Sequence, residues 1–128
     1  MDKLYDQLDL PKSHYRLHQA VLAGLPASLI SDLALRLGQP TTQIAEWVGA
    51  CSLDAAMPIS SSEVFCRLVR ALDSLGNLYE SNQEGAISWL TTPNKVLAEE
   101  RPVDLLATEA GGRAVQQAIH AIEHGLPV

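Results

Sequence analysis

The stretch SSSEVFCRLVRALDSLGNLY, which runs from Ser60 to Tyr79, decides the fold class of this chain. It begins with the pattern Ser60-x-x-Glu63, a capping box in which two side chains bond to unpaired backbone N–H groups at a helix start. Apolar residues then recur three and four positions apart, which is the spacing of one face of an α-helix. The stretch therefore predicts a long helix with one buried face. That face comprises Val64, Phe65, Leu68, Val69, Leu72, Leu75, Leu78 and Tyr79.

The rest of the chain has the same helical character. No segment shows the sustained alternation of apolar and polar residues that is typical of a half-buried strand. We expect Ser13 and Thr108 to cap helices, because their hydroxyls accept hydrogen bonds from unpaired N–H groups. Gly38 and Gly49 are expected to end helices, because glycine adopts positive φ at little cost. A further short helix is predicted for residues 52–57. The fold class is all-α, a compact helical protein.

We predict two domains that meet near Asn82, where a second capping box, Ser81-x-x-Glu84, starts a new helix. The first, residues 1–82, has the build of a helix-turn-helix bundle. The second, residues 83–128, is a small helical domain. In the second domain, Gly111 lies inside a helical stretch, where it predicts close packing against a neighbouring element.

The charge of the chain argues against strong binding to nucleic acid. The net charge is −6, and not one Lys or Arg lies between Arg36 and Arg67. That interval contains the element that would face DNA in a helix-turn-helix, namely Ser52, Leu53 and Asp54. Because docking on DNA needs cations near the phosphates, we expect weak contact with operator DNA, or contact only within a larger complex.

Four short motifs follow one another between residues 81 and 125: Trp89-Leu90, Thr92-Pro-Asn94, Pro102-x-Asp-Leu-Leu106 and Ile122-Glu-His-Gly125. In this order they resemble the toxin-binding domain of the Xre/MbcA/ParS antitoxins, the partners of RES-type toxins. The resemblance identifies a set of signature residues. They are Trp89, Leu90, Pro93, Asn94, Pro102, Asp104, Leu105, Leu106, Gly111 and Val115.

The resemblance implies an antitoxin of a type II toxin-antitoxin system that neutralises a RES-domain, NAD-consuming toxin. It also implies a homodimer that forms a larger hetero-oligomer with the toxin. The C-terminal end is expected to approach the toxin active site. The alternative is a helix-turn-helix transcriptional repressor of its own operon, with DNA binding as the main activity. The predicted toxin-binding residues are Glu123, His124, Gly125, Leu126, Pro127 and Val128.

No pattern of catalytic or metal-binding residues stands out. His120 and His124 are spaced one helical turn apart, as are His14 and His18, but a catalytic zinc needs a third protein ligand. No glycine-framed serine elbow occurs. We therefore expect a protein that is not an enzyme, with no metal and no cofactor. The absence of a secretory segment and of any apolar run near ~20 residues predicts a cytoplasmic protein without membrane contact.

Overall fold

The computed structural model describes residues 4–50, 55–79 and 83–125, and it confirms the all-α prediction. No strand occurs in these ranges; the β-structure consists of one isolated bridge between Asn94 and Glu100. The elements are α1 (Leu4–Gln7), α2 (His14–Ala23), α3 (Ser28–Leu37), α4 (Thr41–Val48), α5 (Ile59–Tyr79), α6 (Gln83–Thr91), a 3₁₀ turn (Lys95–Leu97), α7 (Pro102–Leu105) and α8 (Glu109–Glu123).

The predicted long helix is present as α5, and its apolar face is buried as far as Leu75; the side chains of Leu78 and Tyr79 lie outside the described residues. Phe65, Leu68, Val69 and Leu75 have no exposed surface. The helix begins at Ile59, before the serine that the capping box indicated. One of the serines inside the predicted capping box, Ser62, bonds to a distant segment instead.

Ser62 is fully buried, and its hydroxyl joins two segments that are distant in sequence. The hydroxyl accepts a hydrogen bond from the backbone N–H of Leu25 at 3.0 Å and donates to the carbonyl of Met57 at 3.4 Å. The N–H of Met57 in turn donates to the carbonyl of Leu25 at 2.8 Å. These bonds hold the approach to α5 against the α2–α3 corner.

The short helix predicted for residues 52–57 is wrong in the part that the structure describes. Residues 55–58 are not helical. Met57 is buried in the core and its backbone bonds to Leu25, so tertiary contacts replace the local hydrogen bonds that a helix would need. Ser52, Leu53 and Asp54, the predicted DNA-facing residues, lie outside the described residues.

The predicted helix ends are confirmed. Ser13 Oγ accepts a hydrogen bond from the N–H three residues on at 3.4 Å, and Thr108 Oγ1 does the same at 2.9 Å. Gly38 and Gly49 follow α3 and α4 with φ of 66° and 72°. These four positions illustrate how local side-chain chemistry sets helix boundaries.

The chain divides into two compact units, Met1–Cys66 and Arg67–Val128, and the division falls within α5. The boundary predicted near Asn82 lies outside the described residues and stays a prediction. In the first unit α3 packs against α4, with a core that includes Ile30, Leu33, Ile44 and Phe65.

The second unit contains the last part of α5 and all later elements. Within it α6 contacts α7, α7 contacts α8, and α8 contacts the 3₁₀ turn. Short helices such as α7 cannot bury a continuous face alone, so the core is assembled from many elements. That core comprises Leu68, Val69, Ala71, Leu72, Leu75, Ala86, Leu90, Leu97, Val103, Leu106, Val115, Ala118 and Ile119.

In the described ranges, no single helix has both the length and the apolar character needed to cross a membrane. The pair α2 and α3 passes that test only when taken together, and the two are bent by 115° at their junction.

Candidate partner-binding site

The C-terminal helix α8 combines a buried face with an exposed end. Its side chains Val115, Ala118 and Ile119 are almost fully buried in the second unit. Thr108 caps the first turn, where unpaired N–H groups would otherwise require water. The helix is therefore held along most of its length, and this support fixes the direction of its last turn.

That last turn presents polar groups to solvent. Glu123 and His124 are exposed, and the rings of His120 and His124 lie with their centroids 4.2 Å apart. Gly125 follows with φ of 70°, so the chain leaves the helix there, as predicted. We call His120, Glu123 and His124 the C-terminal polar surface. The other predicted toxin-binding residues, Leu126, Pro127 and Val128, lie outside the described residues.

Most of the apolar signature residues support the second unit from within. Leu90, Leu106 and Val115 are at most 1% exposed. Pro102 is buried as the first residue of α7, a position where its missing N–H leaves nothing unpaired. Trp89 and Leu105 are half-buried and Pro93 is exposed. The buried signature residues thus form part of the core of the second unit, whereas Trp89, Leu105 and Pro93 reach its surface.

The polar signature residues organise the loop between α6 and α7. Asn94 Oδ1 accepts from the N–H of Val96 at 2.9 Å, and the N–H of Asn94 donates to the carbonyl of Glu100 at 3.1 Å. Between them Ala98 and Glu99 have φ of 60° and 65°, in a backbone region that residues other than glycine rarely adopt. These bonds hold a strained, tightly closed loop.

Asp104, the remaining polar signature residue, forms a two-pronged ion pair with Arg101. The two Asp104 carboxylate oxygens each accept a hydrogen bond of 2.9 Å from the Arg101 guanidinium. The pair spans the start of α7 and is partly exposed. Its arrangement is that of a helix-start ion pair, so Asp104 is engaged in holding α7.

A basic pocket that the sequence did not reveal lies between α5 and α8, within the second unit. Its volume is about 290 Å³. Three arginines stand against a single carboxylate in the lining, within a chain whose net charge is −6. We call it the arginine pocket. It is lined by Arg67, Arg70, Glu109, Gly112, Arg113, Gln116 and Gln117.

The arginines differ in how firmly they are held. The side chain of Arg67 is only 13% exposed, and one guanidinium N–H donates to the carbonyl of Leu106 at 3.1 Å. Its Nε lies 3.6 Å from a carboxylate oxygen of Glu109. Arg113 donates to the other oxygen of Glu109 at 3.1 Å, and Arg70 is exposed beside them. Arg67 is therefore a fixed charge, whereas the other two can adjust.

The three arginines of the pocket lower the pKa of the Glu109 carboxyl. The hydrogen bond from Arg113 lowers its pKa below the ordinary value of 4.5, and the charges of Arg113, Arg67 and Arg70 lower that pKa further, against partial desolvation. All three arginines thus act on one point, although they come from two helices.

Sequence reasoning missed this pocket because each arginine is isolated in the sequence. Arg67 and Arg70 are spaced for one face of α5, but Arg113 lies more than forty positions later. The one available signal was Gly112, a second glycine inside a helix. A Cβ atom there would lie 3.1 Å from Cδ of Arg67, so the glycine makes room for the arginine side chain.

The histidine pairs are not part of a larger group of possible metal ligands. Among the described residues there is no group of three or more His, Cys, Asp or Glu side chains that could hold a metal ion.

The connection between α3 and α4 is the part of the predicted helix-turn-helix that the structure describes. Helices α3 and α4 are packed together and joined by only three residues, Gly38 to Pro40. A turn of this length is shared by helix-turn-helix motifs and by other helix pairs, and the predicted DNA-facing residues Ser52, Leu53 and Asp54 lie outside the described residues.

Comparison with known proteins bears on the second unit above all. Residues 74–125 match the family model described as the antitoxin Xre/MbcA/ParS C-terminal toxin-binding domain. Over 132 residues the chain is 29% identical to a protein of Yersinia enterocolitica named antitoxin Xre, an alignment that covers 96% of this chain and 89% of the relative. Over 84 residues it is 30% identical to a protein of Photorhabdus laumondii with the same name, covering 66% of this chain and 57% of that relative.

Proposed function

The chain belongs to the Xre/MbcA/ParS antitoxin family, and from this premise we propose that it neutralises a RES-domain toxin that consumes NAD. Family membership supports the coarser statement directly: the protein is an antitoxin whose partner is a toxin protein. The RES type of the toxin and its consumption of NAD are parts of the proposal. The single observation that carries it is the match of residues 74–125 to a toxin-binding domain.

We propose that the inhibitory contact is made by the C-terminal polar surface together with Gly125, Leu126, Pro127 and Val128. The buried face of α8 fixes the helix, so its last turn is presented with little conformational freedom to lose on binding. Glu123 and His124 supply exposed polar groups there. The positive φ of Gly125 ends α8 at this surface. In this proposal, Leu126, Pro127 and Val128 are the residues that enter the toxin cleft.

Electrostatics favours the same end of the molecule. A pocket that binds a dinucleotide must accommodate phosphates and is therefore expected to be electropositive. This chain has a net charge of −6, and Glu123 adds a carboxylate near its C-terminal end. Complementary charge of this kind raises association rates and orients the two partners.

The test uses a purified RES-domain toxin as the proposed partner. Three variants are compared with the native protein: a truncation after Gly125, Glu123→Ala and His124→Ala. Each is expected to weaken inhibition of NAD consumption and protection of cells. The Tm should change little for Glu123→Ala and His124→Ala, because these two side chains are exposed. Glu84→Ala, which removes an exposed carboxylate from α6, is the matched control and should inhibit as the native chain does.

The outcome separates two surfaces. If the truncated chain inhibits the toxin as well as the full chain, then the C-terminal end is a bystander and inhibition runs through the surface between Trp89 and Leu106. If the native chain forms no complex with the RES-domain protein, the proposed toxin class is wrong. Light scattering of the complex would test the proposed homodimer and larger hetero-oligomer.

A second activity, repression of its own operon through DNA binding, has one supporting observation, the short connection between α3 and α4. The charge distribution opposes strong binding. The exposed side chains of α4 include Glu46, and the whole interval from Arg36 to Arg67 is without a cation. We therefore propose toxin neutralisation as the main function and DNA contact as a weak or complex-dependent one. Neither requires a catalytic group.

A further inference from the structure

We propose that the arginine pocket binds a phosphomonoester of about mononucleotide size. The inference does not depend on toxin neutralisation, because none of the pocket residues belongs to the C-terminal polar surface. It rests on the charge of the pocket, on the fixed position of Arg67, and on the size and polarity of the remaining lining.

The charge of the pocket suits an anion. The lining carries three guanidinium groups and one carboxylate. A phosphomonoester bears roughly −1.5 to −2 charges near pH 7 and offers three acceptor oxygens. A single side-chain carboxylate brings only one charge. Since the chain as a whole is acidic, this local excess of cations is not part of a general basic surface.

The pocket is also prearranged for an oxyanion. Arg67 is held by the carbonyl of Leu106 and lies across Gly112, where any larger residue would crowd its Cδ atom. A glycine inside a helix costs stability relative to alanine. At position 112 it leaves space for the nearly buried side chain of Arg67 at the pocket wall. Planar guanidinium groups suit phosphate because they can donate two parallel hydrogen bonds.

The pocket has room for a small organic molecule at the lower limit of size. Its volume of 290 Å³ is close to the low end of the range of about 300–1,000 Å³ that is typical of small-molecule sites. Gln116 and Gln117 add uncharged polar groups to the lining. The amide oxygen of Gln116 already accepts from the hydroxyl of Ser74 at 3.1 Å, which leaves its NH₂ as the donor for a ligand hydroxyl or base.

Calorimetric titration of the full chain with adenosine 5′-monophosphate tests the proposal, with adenosine as the ligand that lacks the phosphate. We expect saturable binding of the nucleotide and none of adenosine. Arg70→Gln and Arg113→Gln should each weaken binding roughly tenfold, the factor that loss of one charge-assisted hydrogen bond gives. Both side chains are exposed, so the Tm should be nearly unchanged. Arg67 is left intact because it also supports Leu106.

Arg16→Gln is the matched control, because it removes one exposed arginine from α2 and changes the net charge of the chain by the same amount as the two pocket substitutions do. It should leave nucleotide affinity within about twofold of the native value. Equal weakening by Arg16→Gln, or no saturable binding of the nucleotide, would overturn the proposal.

Two competitors identify the source of the anion. The first competitor is a short DNA duplex with 5′-phosphates. If this duplex displaces the nucleotide from the native chain, and excess adenosine does not weaken binding of the duplex, the result supports a phosphate site and identifies DNA ends as the source of the phosphate. An aspartate-rich peptide that binds more tightly than the nucleotide, and loses affinity in Arg70→Gln, would show a carboxylate site and overturn the proposal.

Discussion

The carbonyl oxygen of Leu105 occupies the space in which a side chain at Gly111 would begin. The carbonyl carbon of Leu105 lies 2.9 Å from the position of an ideal Cβ on Gly111, and Thr108 Oγ1 lies 3.0 Å from it. Thr108 at the same time accepts the N–H of Gly111. The first turn of α8 therefore rests directly on the backbone at the end of α7, and this junction places α8 in the second unit.

Gly111→Ala should destabilise the protein by roughly 3 kcal/mol, because the new methyl group meets backbone that cannot rotate away as a side chain could. Chemical denaturation followed by circular dichroism measures the change. Gly76→Ala is the matched control on α5, since a Cβ atom there would meet nothing within 4 Å beyond its chain neighbours and its own helix backbone. That variant should gain about 0.5–1 kcal/mol from reduced backbone entropy. A loss for Gly111→Ala no larger than 0.5 kcal/mol would mean that α7 and α8 shift apart easily.

Ala98→Gly should stabilise the protein by about 0.5–1 kcal/mol. Ala98 has φ of 60°, where the Cβ atom crowds the backbone, and glycine removes that strain. The thermal midpoint is the direct measurement. Ala114→Gly, within α8, is the control with the opposite expected sign, a loss of about 1 kcal/mol from lower helix propensity. Equal losses for both variants would show that the loop between α6 and α7 carries no strain at Ala98.

The dependence of stability on acid should be weaker in Glu109→Gln than in the native protein. The pKa of Glu109 is lowered in the folded state, chiefly by the hydrogen bond from Arg113. A depressed pKa contributes stability above the unfolded value of 4.5, and this stability is lost as the pH falls through the folded value. Urea denaturation between about pH 6 and pH 3 measures the effect. Arg113→Gln should flatten the curve in the same direction, and an unchanged curve in both variants would contradict the role of the ion pair.

Duplex promoter DNA should bind the isolated chain with a Kd no tighter than roughly 1 µM at physiological salt, the range of non-specific contacts. The physical reason is the lack of Lys and Arg between Arg36 and Arg67, which leaves the predicted DNA-facing residues Ser52, Leu53 and Asp54 without neighbouring phosphate-binding charge. A fluorescence anisotropy titration checks this, with a scrambled duplex of the same length as the control. Nanomolar, sequence-selective binding by the antitoxin alone would refute the prediction.

The caps and glycine ends of the helices could be predicted because they depend on groups within four residues of one another. Ser13 and Thr108 cap as their chemistry requires, and Gly38 and Gly49 take positive φ. The start of α5 was mispredicted for the opposite reason. Ser62 is engaged by Leu25, more than thirty positions away, and no local pattern reports such a bond.

The candidate site was accessible to sequence reasoning in part. The order of motifs from Trp89 to Gly125 identified the toxin-binding domain, and the family match over residues 74–125 agrees with that interpretation. The motif residues do not all have the same use, however. Leu90 and Val115 are core residues, whereas Glu123 and His124 are exposed. Burial distinguishes the signature residues that form the core from the residues at the surface. Because burial depends on how all elements of the unit pack, it could not be read from the motifs alone.

The sequence by itself determined the fold class, the helix boundaries that caps and glycines control, and membership of the antitoxin family. Each of these follows from spacing and motifs along the chain. Only the tertiary structure decided that Arg67 and Arg113 share a pocket and that Gly112 accommodates the first of them. The physical reason is distance along the chain: helical periodicity acts over four residues, whereas α5 and α8 are brought together by burial of apolar side chains, which carries no directional signal in sequence.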